Sequence, residues 1–146
     1  MSSTGGETTA EGVTIASDLL PLTFSGRVVS GFGRGGKELG CPTANLDEHA
    51  IASLPSQLPA GVYWGTGRVN RGESIGFVMS IGFNPHYGNT RKTMEVHFLR
   101  KMEDFYGSEV DGTIHGFLRG MQAFAGLDQL IAAIEADKRN AQELLS

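Results

Sequence analysis

One cysteine in 146 residues, Cys41, leaves no partner for an internal disulfide, which excludes a cross-linked scaffold and suits a reducing compartment. No apolar run approaches the length of a membrane span, and the first eighteen residues hold neither a signal-peptide core nor any Arg or Lys for a mitochondrial presequence. The terminal Leu-Leu-Ser is not a peroxisomal tripeptide, so the expected location is cytoplasmic. Positive charge is in deficit. With 12 Lys and Arg against 16 Asp and Glu the net charge is −4, which argues against non-specific nucleic-acid binding while leaving room for a small phosphorylated ligand. The four histidines lack H-x-x-x-H spacing and any cysteine pair, so they do not make a metal site. Cys41 with His49, His86, His97 or His115 as base is a conceivable nucleophile, but a small buried thiol is the default for such a residue. There is no internal repeat, and the 21 glycines follow no G-X-Y period.

What is present reads as one all-β domain. The size suits a single core, and 40% hydrophobic with 19% charged residues is the composition of a globular chain. Residues 1–18, rich in Ser, Thr, Gly and Glu, predict a flexible tail, and residues 19–146 the folded domain. β-branched and aromatic runs predict strands over 23–29, 61–69, 74–81, 93–101 and 113–118. Asn70-Arg71-Gly72 reads as a hairpin connection, and 47–59, with Pro55 and Pro59, as a loop with one helical turn. Glycines beside the apolar runs suit the corners of a barrel, and strands without βαβ alternation point to a small closed antiparallel β-barrel. Leu127, Leu130, Ile131, Ile134, Ala141 and Leu145 are helically spaced, predicting an amphipathic helix over 126–145 that packs on a mouth or flank of it.

The stretch 26–46, GRVVSGFGRGGKELGCPTANL, carries the most chemistry. Five glycines within ten residues (Gly31, Gly33, Gly35, Gly36, Gly40), with Arg34 and Lys37 among them, can bring backbone N–H groups and two cations close to an anion. Residues 31–36 match G-x-G-x-x-G literally, yet Gly40 and Pro42 leave no room for the helix that a dinucleotide fingerprint requires. Residues 31–37 begin like a Walker A loop, but Glu38 stands where Ser or Thr should meet the metal. Taken alone the loop is equally a mobile hairpin. Beside it, Pro42-Thr43-Ala44-Asn45 sets a hydroxyl and a carboxamide oxygen two residues apart, a pairing that suits Mg²⁺ or an Asx/ST turn. In the strand around residues 93–99, alternation puts Met94, Val96 and Phe98 on one face and Glu95 and His97 on the other. Glu95 there is either a surface residue or a functional carboxylate.

The 26–46 run resembles the signature of riboflavin kinases, in which a strand, a glycine-rich flap and a Pro-Thr-Ala-Asn metal motif follow one another. The likeness continues in order through GVYWG (61–65), SIGFNPHYGNTRKTMEVHFL (80–99) and EDFYG (103–107), and so spans most of the chain. The resemblance implies a six-stranded Greek-key β-barrel with a C-terminal helix, and ATP:riboflavin 5′-phosphotransfer giving FMN and ADP. It implies Glu95 as general base, with His97 as rival base, orienting neighbour or packing residue, and Thr43 and Asn45 as ligands of Mg²⁺, with Zn²⁺ or Mn²⁺ as substitutes. By the same resemblance, Gly31 and Lys37 meet the ATP phosphates and Thr43, Phe98, Arg100 and Tyr106 line the nucleotide site. Arg119, Gln122 and Phe124 belong to a flap over the flavin. The chain departs from the family's usual Pro-Glu-Lys there with Gly120-Met121-Gln122, the feature that favours the alternative of an inactive flavin- or nucleotide-binding barrel. The expected partners are riboflavin/FMN and ATP/ADP alone, without nucleic acid or membrane, on a monomer. The chain has no space for an adenylyltransferase domain, so no FAD synthesis is expected.

Overall fold

The computed structural model describes residues 16–29, 43–83, 92–100, 107–120 and 126–146. Six strands, β1 (Leu22–Val29), β2 (Thr43–Leu46), β3 (Gly61–Val69), β4 (Ile75–Phe83), β5 (Lys92–Phe98) and β6 (Glu109–Arg119), close into a barrel in the order β1-β2-β5-β4-β3-β6. Every pairing is antiparallel. Strands β3, β4 and β5 form a meander and β6 returns beside β3, which is a Greek key. Besides a short helical turn at residues 16–19, the described chain has two helices, α1 (Glu48–Ala52) and α2 (Leu127–Leu145).

Period-two alternation fills the interior. Phe24 and Val28 from β1, Ala44 and Leu46 from β2, Tyr63 from β3, and Phe77, Met79 and Ile81 from β4 pack with Met94, Val96, Phe98, Val110 and Ile114 in one buried cluster. At its centre Phe77 lies edge-on to both Phe24 and Phe98, with ring centroids 5.8 and 6.3 Å away. Gly65 makes room for that ring, since a Cβ there would meet the Phe77 side chain and the Thr113 carbonyl. Ala16 is buried in the same cluster, within a short helical turn at residues 16–19.

The β3–β4 connection is a tight turn in which Gly72 N–H donates to the Val69 carbonyl at 3.0 Å. Asn70 (φ 51°) and Arg71 (φ 61°) both take left-handed backbone, the signature of a type I′ hairpin. Helix α1 fulfils the expected helical turn, and the Asp47 carboxylate caps it by accepting from Ala50 N–H at 3.2 Å. Helix α2 covers a flank of the barrel, packing Ala141 against the outward-facing Val62 and Val78 of β3 and β4. Strand β5 ends at Phe98 and β6 runs from Glu109, so the expected 93–101 is shorter at its end and 113–118 longer at both ends. The tetrapeptide Thr43–Leu46 is itself a barrel strand, too short and too mixed in polarity for periodicity to reveal it.

Candidate functional site

Strand β2 lies between β1 and β5, and its register decides what the barrel's outer face presents. Ala44 and Leu46 are buried in the core, which turns Asn45 outward. Asn45 stands opposite Glu95 in the β2–β5 ladder, and Ser80 stands opposite Glu95 on its other side in the β4–β5 ladder. Directly paired antiparallel residues share a face, with Cβ atoms about 4.5–5.5 Å apart. A carboxamide from near the chain's start and a carboxylate from its middle are therefore immediate neighbours. One step along, the Thr43 backbone pairs with His97, which pairs in turn with Val78.

The electrostatics of this face follow mainly from burial. Glu95 is 28% exposed in its side chain, and burial pushes its carboxyl above the ordinary carboxylate range. His97 is only 4% exposed. Burial holds its imidazole down to about 4, and the positive charge of Lys138 on α2 acts in the same direction. The ring is thus neutral near pH 7, so the 3.9 Å between His97 Nε2 and Glu95 Oε1 is close packing rather than an ion pair or a hydrogen bond. A carboxylate in this setting is a stronger base than one in water.

Asn45 and Glu95 offer oxygen donors in a half-buried setting, which is the donor chemistry a hard divalent cation takes. Among the described residues no group of three or more His, Cys, Asp and Glu could hold a metal, so a soft-metal cage is not assembled there. A cation at Asn45 would keep most of its shell for water and phosphate oxygens.

The other expected site residues fall in several places. Phe98 is fully buried inside the barrel against Phe77, a core position. Arg100 is exposed just beyond β5 and pairs with Glu73 at 2.8 Å. Arg119 closes β6 and makes a two-point contact with Asp137 of α2, Nε to Oδ1 at 2.9 Å and Nη2 to Oδ2 at 2.8 Å. Lys92, part of the same motif as Glu95, reaches the backbone carbonyls of Pro55, Ser56 and Leu58 at 3.4–3.5 Å and so tethers the loop after α1. Gly31, Lys37, Tyr106, Gln122 and Phe124 lie outside the described residues, as does Cys41.

Two residues beside the site escape a reading by motif, Asp137 and Lys138. A signal for the first exists: Asp137 sits on the stripe of Ile134 and Ala141, where a carboxylate needs a partner. No helix among the described residues is long and apolar enough to cross a membrane.

A small closed Greek-key barrel with a basic carboxylate beside an oxygen-donor side chain on its outer face defines a class of candidate phosphoryl-transfer proteins. The model of the family described as "Flavokinase: Riboflavin kinase" matches residues 19–145, and the chain belongs to that family. It is 44% identical over 127 residues to the riboflavin kinase of Homo sapiens, covering 86% of this chain and 82% of the human one. The solved riboflavin kinase of Trypanosoma brucei superposes with a TM-score of 0.65 at 31% identity, over 86% of this chain and 80% of that one. A solved Streptococcus pneumoniae chain described as a macrolide-efflux protein gives a TM-score of 0.71 at 30% identity, over 89% of this chain and 42% of that one.

Proposed function

We propose that this chain phosphorylates the 5′-hydroxyl of riboflavin with ATP, giving FMN and ADP, on the outer face built by β2 and β5. The observation that carries the site is the register of Asn45 against Glu95. Glu95 is the general base. As the ribityl oxygen attacks the γ-phosphorus, the new O–P bond forms, the bond to the β-phosphate oxygen breaks, and the hydroxyl proton passes to the Glu95 carboxylate. The raised basicity of that carboxylate suits the task, and neutral His97 beside it adds no cation that would lower it.

Riboflavin kinases use ATP with a divalent metal. In this chain Asn45, together with Thr43, is the proposed holder of that ion, and Mg²⁺ is the proposed metal; when bound it neutralises phosphate charge. Lys37 and the backbone at Gly31 are proposed to cradle the phosphates, Tyr106 to line the nucleotide, and Arg119, Gln122 and Phe124 to face the flavin. Phe98 supports the site from inside the barrel, as its burial favours. The proposed working unit is a monomer acting in the cytoplasm.

The experiment is direct. Incubated with ATP, Mg²⁺ and riboflavin, the chain forms FMN, and Glu95→Gln lowers turnover about 10²–10⁴-fold, the usual contribution of a general base. Binding of an ATP analogue, followed by calorimetry, stays intact in that variant. Unchanged turnover in Glu95→Gln would remove the residue from its role.

A further inference from the structure

Asp137 is one of two buried polar side chains among the described residues, 4% exposed on a helix whose neighbouring contacts are apolar. A buried ion pair is weak grounds for stability, because apolar residues of similar volume often serve a fold as well or better. What such a pair supplies is geometry. Both Asp137 oxygens are engaged by Arg119 at 2.8 and 2.9 Å, which fixes the plane of the guanidinium. Arg119 Nη1 in addition donates to the Gly120 carbonyl at 3.1 Å. The guanidinium thus ties helix α2 to the backbone where the chain leaves β6. The next helical residue, Lys138, lies close enough to His97 for its charge to act on the imidazole. Adjacent positions of α2 thus bear on Arg119, through the Asp137 contact, and on His97, through the charge of Lys138.

We propose that Asp137 is a positioning residue for the acceptor side of the reaction, holding Arg119 in the orientation that riboflavin meets. This rests on the reading of Arg119 as a flavin-facing residue. The carboxylate touches neither substrate nor reacting atoms; it sets the guanidinium before substrate arrives, so that binding does not have to order it. The effect is confined to the flavin and leaves the nucleotide untouched.

The test compares Asp137→Asn and Asp137→Glu in the full chain, with kinetics in riboflavin and in ATP and with flavin binding read from fluorescence quenching. Asp137→Asn raises the riboflavin KM and the FMN Kd about tenfold while the ATP KM stays within about twofold. Asp137→Glu keeps the charge but shifts the guanidinium, and falls between, at about threefold. An unmoved riboflavin KM in folded Asp137→Asn, or equal rises for both substrates, overturns the inference. If Asp137→Asn does not fold, Asp137→Glu decides it: a rise confined to riboflavin sustains the role and a wild-type value overturns it. Arg119→Lys separates the two levels. A raised riboflavin KM there with none in Asp137→Asn sinks only the role of Asp137, whereas no change in Arg119→Lys removes the reading of Arg119 and the inference with it.

Discussion

His97 shows how burial, rather than residue type, decides what a side chain can do. Its pKa is held near 4 in the folded chain, against 6.5 for the free imidazole. Because the folded value is depressed, the unfolded chain takes up the proton first as pH falls. The contribution is whole above about 6.5 and is lost on the way down to about 4, amounting to about 3 kcal/mol across that window. Urea titrations at pH 7 and pH 4.5 check this, and His97→Gln should flatten the part of the loss that belongs to this residue. Glu95 is shifted the other way, so its protonated form persists to higher pH than in a free carboxylate. In the proposed mechanism the general base is the ionised form. The acid limb of kcat/KM for riboflavin should therefore inflect above the usual value of about 4.3. A profile flat down to pH 4 would contradict it. Neither shift is legible from residue names, since both come first from burial in the folded chain, with Lys138, some forty positions away, adding to that of His97.

At the scale of elements, the β3–β4 hairpin was readable and yet imperfect. Asn70-Arg71-Gly72 announces a turn, but the structure puts the left-handed residues at Asn70 and Arg71, one place earlier than the glycine. Asn tolerates that backbone; Arg pays a steric penalty for its Cβ. Arg71→Gly, which makes the favoured Asn-Gly pair, should stabilise the chain by about 0.5–1 kcal/mol, read as a rise in the urea midpoint at constant slope. Strand β2 shows the opposite case. Four residues with a threonine and an asparagine carry too little pattern to reveal a strand, and it becomes one because β1 and β5 offer backbone partners on both sides. Helix α2 was legible from its apolar spacing, and its N-terminal boundary at Gly126 matches the expected start. Its buried Asp137 is not legible that way, because apolar spacing carries no information about the partner a charge on the stripe will find.

For the whole molecule, the barrel interior and the site are separate regions joined by the strands between them. Phe77, fully buried at the centre of the aromatic trio, holds the interior but faces away from Glu95. Phe77→Ala should lower stability by about 3–5 kcal/mol, measured by denaturant unfolding. The KM values of the fraction still folded should be little changed at low temperature. A selective loss of nucleotide affinity without loss of stability would contradict that separation. Helix α2 lies against β3 and β4 and covers the outer side of that part of the sheet.

By itself the sequence determined the class of fold, the helix at the end, and which residue types carry oxygen donors, a base and cations. The fold class and helix follow from local periodicity and glycine placement, each set within a few neighbours, whereas the base follows from the family resemblance. Only the tertiary structure decided that Asn45 meets Glu95 across a ladder, that Phe98 points inward, and that Asp137 holds Arg119. Register between strands far apart in the chain is chosen by the packing of the closed barrel as a whole, and a one-residue slip of a strand would carry its side chains to the opposite face.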